Sequence, residues 1–131
     1  MNVAFFLTPK QDVVWISSEA TIADALDQMQ PFRHSAVPLL DEDGRYLGTL
    51  TEGDLLWHLR HSERPWSEVA ASTRVSDIAR WMKNEAIHID AEMEALLARA
   101  AVQSFVPVVD DRSVFVGMVR RTTIIEYWAK R

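Results

Sequence analysis

The residues best suited to chemistry lie in Gly48-Thr49-Leu50-Thr51-Glu52-Gly53-Asp54, which runs straight into an apolar helix pattern from Leu55 to about Arg60. Thr51 followed three residues later by an acid has the spacing of a capping box, in which hydroxyl and carboxylate each accept one backbone N–H at a helix start. The same geometry can serve a ligand. Free N–H groups and the helix dipole at such an end attract phosphate, and a carboxylate there can accept hydrogen bonds from both hydroxyls of a ribose. Thr21 and Asp24 show the same spacing and read as a plain cap.

Other polar residues offer less. His58 and His61 stand three apart on the same expected helix, a spacing compatible with a metal, but no third ligand is identifiable and the pair reads as the exposed end of a helix. His34 reads as a polar loop residue in preference to a ligand contact, and Arg33 and Arg121 as surface charges. The chain has no cysteine, which removes disulfides, thiolate catalysis and sulfur-rich zinc sites. No Ser-His-Asp set, glycine-rich phosphate loop or glycosidase-like carboxylate pair can be defended from spacing, so the expectation is no enzyme, no metal and no cofactor.

The bulk properties narrow the partners. A chain of 131 residues makes one ordinary domain, or two small halves that share a core because neither buries enough alone. Apolar residues at 48% and charged residues at 25% fit a globular protein. With 14 basic against 19 acidic residues the net charge is −5, the wrong sign for affinity built on nucleic-acid phosphates. The apolar runs are too short to span a membrane, and Met1 to Pro9 lacks the features of a signal peptide, which together predict a cytoplasmic protein without membrane attachment.

The elements that position Thr51 and Asp54 emerge from an internal repeat. Val37-Pro38-Leu39-Leu40-Asp41 is echoed by Val106-Pro107-Val108-Val109-Asp110, and at the same offset Leu47-Gly48-Thr49-Leu50 by Val116-Gly117-Met118-Val119. Leu55, Leu56 and Leu59 then map onto Ile124, Ile125 and Trp128 as core stripes. Upstream, Ile22, Ala25, Leu26 and Met29 show helical spacing, repeated by Met93, Leu96, Leu97 and Ala100 with a shift of two residues. A β-like run precedes each helix, around Val13 to Ile16 and Ala86 to Ile89, and a turn-rich tetrapeptide divides each later strand pair, at 41–44 and 110–113. Val75, Ile78, Ala79 and Met82 suggest a further helical stripe, weakly mirrored by Val3, Phe6 and Leu7.

Each half therefore reads strand, helix, strand, strand, helix: an α+β chain with one repeat in 1–62, a connection in 63–74 and a second repeat in 75–131. This order, with the Val-Pro strand and the Gly-Thr-Leu-Thr-Glu-Gly-Asp element, resembles the CBS domain, and two copies resemble the tandem pair known as the Bateman module. The resemblance covers the chain from about Asn2 to Trp128. It implies two β-α-β-β-α repeats packed with pseudo-two-fold symmetry and a regulatory adenosyl ligand, such as AMP, ADP, ATP or S-adenosylmethionine, in the cleft between them. By that resemblance Asp54 holds the ribose, Thr51 touches ribose or phosphate, and Ser35, Ala36, Val37 and Pro38 line the adenine pocket with help from Val14.

The second copy departs from the pattern, because Arg120 stands where Thr51 does and Thr123 where Asp54 does. One nucleotide site per chain is expected, with Arg120 either reaching ligand phosphates or simply solvated at a helix start. Five tryptophans is a high count for this length. Trp57 lies out of phase with its helix stripe and is expected to face outward at a homodimer interface, a common arrangement in the family, whereas Trp81 and Trp128 fit core or interface, with core preferred. No effector domain is recognisable, so a signal would pass to a separate protein or act through oligomerisation. The rival reading is a structural pairing module, free of ligand, that acts through protein contacts.

Overall fold

The computed structural model describes residues 1–130. Two compact units divide the chain. One comprises Val14–Asp43 and Leu47–Lys83; the other comprises Met1–Val13, Gly44–Tyr46 and the chain from Asn84 onward. Each unit thus takes the leading segment of the other repeat: 1–13 belongs with the second repeat, and 75–83 with the first.

The helices of the chain are α1 (Val3–Phe6), α2 (Ile22–Met29), α3 (Glu52–Arg60), α4 (Trp66–Ser72), α5 (Met93–Ala100) and α6 (Arg121–Ala129). The strands are β1 (Thr8–Pro9), β2 (Ile16–Ser17), β3 (Ala36–Leu40), β4 (Tyr46–Thr51), β5 (Ile87–His88), β6 (Phe105–Val109) and β7 (Phe115–Arg120). The order strand, helix, strand, strand, helix is present twice, as the sequence pattern predicts.

In the unit that holds the first repeat the strand order is β2-β3-β4, and β2 runs parallel to β3 with Ile16 opposite Leu39. Parallel neighbours require a crossover, which α2 supplies. The Thr21 and Asp24 capping box starts α2. Its inward positions Ile22, Ala25 and Met29 pack with Leu39, Leu50, Leu55 and Leu59 in one apolar core. The 63–74 connection carries α4, whose Val69 is 3% exposed within that core.

Beyond α4 the chain does not form the helix suggested by Val75, Ile78, Ala79 and Met82. Only Val75–Asp77 makes a single 3-10 turn. The reason is competition for backbone donors: Val75 N–H bonds Ala20 O at 2.9 Å and Ser76 N–H bonds Ser18 O at 3.2 Å, so the segment is held extended against a neighbour.

In the other unit the order is β1-β7-β6-β5, with β5 parallel to β6 and the remaining pairs antiparallel. Its core gathers Leu96, Val106, Val108, Val119 and Ile124 together with Val3 and Phe6 from α1. Strand β1 lies so close to β7 that a Cβ on Gly117 would sit 2.3 Å from the Thr8 carbonyl oxygen. The turn before β7 places Ser113 in the left-handed region at φ 64, where the first repeat has Gly44 at φ 81. Asp110 Oδ1 accepts from Arg112 N at 2.8 Å and Val114 N at 3.0 Å, and these two donors hold its carboxyl below the ordinary aspartate pKa.

The core stripes prove narrower than expected. Leu55 and Leu59 are buried but Leu56 is 46% exposed, and Ile124 is buried while Ile125 and Trp128 are exposed. Leu26 and Leu97 likewise face outward. A helix turns by about 100° per residue, so of two adjacent leucines only one fits beneath a helix lying on a sheet. Trp81, expected inside, is 90% exposed. Trp128 stacks on Phe6 at a centroid distance of 5.8 Å yet keeps an open face, so it too departs from the core expectation.

Candidate functional site

Strand β4 delivers Thr51 in extended conformation to the start of α3. There Thr51 Oγ1 accepts from Asp54 N at 3.1 Å and Asp54 Oδ2 accepts from Thr51 N at 2.9 Å, which completes the capping box. The neighbouring Glu52 N–H bonds Ser35 O at 2.9 Å, tying the start of α3 to the entry of β3. Ser35 is exposed and Ala36 partly buried, whereas Val37 and Pro38 are buried and Val14 packs against the core.

Asp54 differs from its counterpart Asp24 in two respects. Asp24 is exposed, but Asp54 is 7% exposed, and its Oδ1 accepts a third bond from Trp81 N at 3.0 Å. A buried carboxylate is costly unless it is well bonded, and here each oxygen takes one backbone donor. Four acceptor positions minus those donors leave capacity on both oxygens for a further hydroxyl.

Asp54 forms part of the wall of a recess of about 520 Å³. The other walls come from α3, with Trp57 and His58, from His61 just past its end, and from the extended segment with Arg80 and Trp81. Trp57 folds back over Gly53, where an added Cβ would meet its ring at 3.9 Å, and stacks on His61. Arg80 lies across Gly48, where a Cβ would approach its Nε to 3.0 Å, so the glycine makes room for the guanidinium. Of the residues expected at a ligand, Asp54 alone lines this recess; Thr51 stands behind it as the cap, Ala36 to Pro38 lie in β3, and Ser35 and Val14 lie just before β3 and β2. Trp81 and Arg80 were not legible as site residues, since their place depends on an extended segment that the apolar spacing disguised as a helix.

The second copy reproduces the backbone without the chemistry. Arg121 N–H bonds Ser104 O at 2.9 Å, the counterpart of Glu52 to Ser35, but Arg120 caps α6 with no side-chain hydrogen bond to its backbone. The Arg120 guanidinium instead donates to Thr8 Oγ1 at 3.0 Å. A second groove, of about 610 Å³, runs along α2 and α3 and is lined by Leu26, Leu55, Leu56, Leu59 and Trp66. No described helix is long and apolar enough to cross a membrane.

Comparison with known proteins agrees with this geometry. The CBS domain family matches residues 6–61 and again residues 75–130. Among solved structures, CbpB in complex with c-di-AMP superposes with a TM-score of 0.87 at 21% identity, covering 99% of this chain and 85% of that one. A hypothetical conserved protein from Geobacillus kaustophilus gives 0.87 at 21% identity, covering 99% and 97%. The CbpB protein of Listeria monocytogenes in complex with c-di-AMP gives 0.84 at 19% identity, covering 98% and 95%. No curated protein sequence matches the chain. With both repeats matched and the same α+β order found in each, the chain belongs to the CBS domain family as a tandem pair.

Proposed function

We propose that this chain is a non-catalytic regulatory module of the cytoplasm that binds an adenine-bearing ligand without any cofactor and signals to a separate effector protein. The candidate ligands are AMP, ADP, ATP and S-adenosylmethionine, joined by c-di-AMP because two structurally similar proteins are complexes with it. The observation that carries the reading is Asp54: a capping-box carboxylate that, unlike Asp24, is buried at the wall of a recess with acceptor capacity left for a sugar diol. Thr51, Val14 and Ser35 to Pro38 are assigned to the surroundings of the ligand, whereas Arg120, whose guanidinium bonds Thr8, is given no ligand contact. Regulation follows from differential binding, since a ligand shifts an equilibrium only by its preference for one state.

Calorimetry with these five ligands tests the reading on wild type, Asp54→Ala and Asp24→Ala. Saturable binding that weakens at least about tenfold in Asp54→Ala and is unchanged in Asp24→Ala is expected, because a lost charged hydrogen bond is worth about that much. Absence of binding by all five would overturn it.

The exposed apolar residues favour a second reading, a pairing module whose caps serve only the helices. Leu26 and Leu56 in the first repeat and Leu97 and Ile125 in the second occupy matching positions and are all more than 40% exposed. Clusters of this kind mark protein interfaces. A homodimer formed through these helices is part of both readings, with Trp57, 58% exposed, at the recess in the first and at the interface in the second. Sedimentation of Leu56→Glu and Ile125→Glu separates them from wild type: a dimer that becomes monomer in both variants is expected.

A further inference from the structure

The recess beside Asp54 holds groups that neither its capping role nor the ribose assignment uses. Trp81 presents its indole almost entirely to solvent while its own backbone N–H is anchored on Asp54, so the ring is both open and fixed at its base. Arg80 is partly buried, makes one long hydrogen bond to Leu47 O at 3.5 Å, and has no carboxylate in ion-pair range among the described residues. Most of its five donors therefore have no protein acceptor. Trp57 of α3 and His61 at its C-terminal cap line the same space.

An open indole next to an unpaired guanidinium is suited to a planar ring joined to an anion. A flat π-face takes a nucleobase by stacking irrespective of its edge pattern, and a guanidinium takes a phosphate through two parallel hydrogen bonds. A volume near 520 Å³ lies in the range of small-molecule sites. From these observations we infer that Trp81 and Arg80 form the base-and-phosphate grip of a purine nucleotide whose sugar lies toward Asp54. The inference rests on the nucleotide reading of this site and extends it. It also gives the segment 79–81 a signalling part: a ligand held by Trp81 and Asp54 together bears on the Trp81 to Asp54 hydrogen bond that pins the segment to α3.

The test uses ATP, GTP, adenosine and inorganic pyrophosphate as probes, with tryptophan fluorescence and calorimetry on the full chain. ATP is expected to quench wild-type emission. Trp81→Leu should lose most of that quench and bind both ATP and adenosine at least about tenfold more weakly, while Trp81→Phe, which keeps a ring, restores most of the affinity. Arg80→Gln should weaken ATP by about tenfold and leave adenosine unchanged. Neither side chain is in the core, and unchanged thermal melts would verify the folds. ATP binding that depends on Asp54 but ignores both variants would overturn the grip and leave the adenine reading standing. GTP binding in place of ATP, with the same dependence on Trp81, would keep the grip and overturn the preference for adenine. Failure of every probe to bind would overturn both.

Discussion

Asp54 Oδ1 accepts a hydrogen bond from Trp81 N at 3.0 Å, so a helix cap in the first repeat is also the anchor for the extended segment that opens the second. One carboxylate thereby closes the start of α3 and fixes the chain far along the sequence. Its removal leaves two backbone donors without partners in a partly buried place.

The first prediction concerns that double duty. Asp54→Ala should cost roughly 1–3 kcal/mol in chemical denaturation, since a fully buried donor left unpaired costs about 1–3 kcal/mol and these two are partly buried. Asp24→Ala, which disturbs an exposed box of the same form, should cost at most about 1 kcal/mol. Equal losses at the two positions would show that the Trp81 bond contributes nothing.

A second prediction follows from the close approach of β1 to β7. In Gly117→Ala the new methyl would lie 2.3 Å from the Thr8 carbonyl oxygen, which is backbone and cannot swing aside. Either the strands part or the turn deforms, at an expected cost of about 1–3 kcal/mol. Hydrogen exchange should speed up in the first dozen residues before it does so elsewhere in that unit.

The two copies differ at the left-handed position of the turn between their last two strands, Gly44 against Ser113, and this supplies a stabilising change. Ser113 adopts φ 64, a conformation that costs an L-residue with a Cβ about 1–2 kcal/mol and glycine almost nothing. Ser113→Gly is expected to raise stability by up to about 1 kcal/mol after the added freedom of the unfolded glycine is counted, as read from the denaturation midpoint. A lower midpoint would mean that the serine side chain contributes more than its backbone costs.

The same turn sets a pH dependence. The Asp110 carboxyl titrates below its ordinary value because Arg112 and Val114 N–H groups bond its ionised form. Since the folded pKa is depressed, the contribution of the turn to stability is complete above the ordinary aspartate range and is lost as pH falls through the folded value. An NMR titration of Asp110 should give a midpoint below that of free aspartate, and Asp110→Asn should remove this contribution to acid sensitivity.

Much of this molecule was legible before any coordinates. The repeated Val-Pro strands, the glycine-led strands after them and the Thr51 and Asp54 spacing all depend on local rules, since period and capping chemistry act within a few residues. What failed depended on partners remote in sequence. Val75, Ile78, Ala79 and Met82 have helical spacing, yet Ala20, Ser18 and Asp54 claim the donors of that segment. Leu56 and Ile125 continue the apolar stripes, but a helix on a sheet buries only one edge of such a pair. Trp81 looked like core because large apolar rings usually are, and only the bond that holds its backbone explains why the ring stays outside.

The reciprocal loan of leading segments has a practical consequence. A cut in the 63–74 connection would not release two self-sufficient pieces: the N-terminal fragment would carry away the edge strand Thr8–Pro9 that completes the other sheet, and the C-terminal fragment would keep the stretch from Val75 onward that roofs the first core. Proteolysis there should therefore yield a nicked but associated pair, and trimming the first thirteen residues should injure the half most distant from them in the chain.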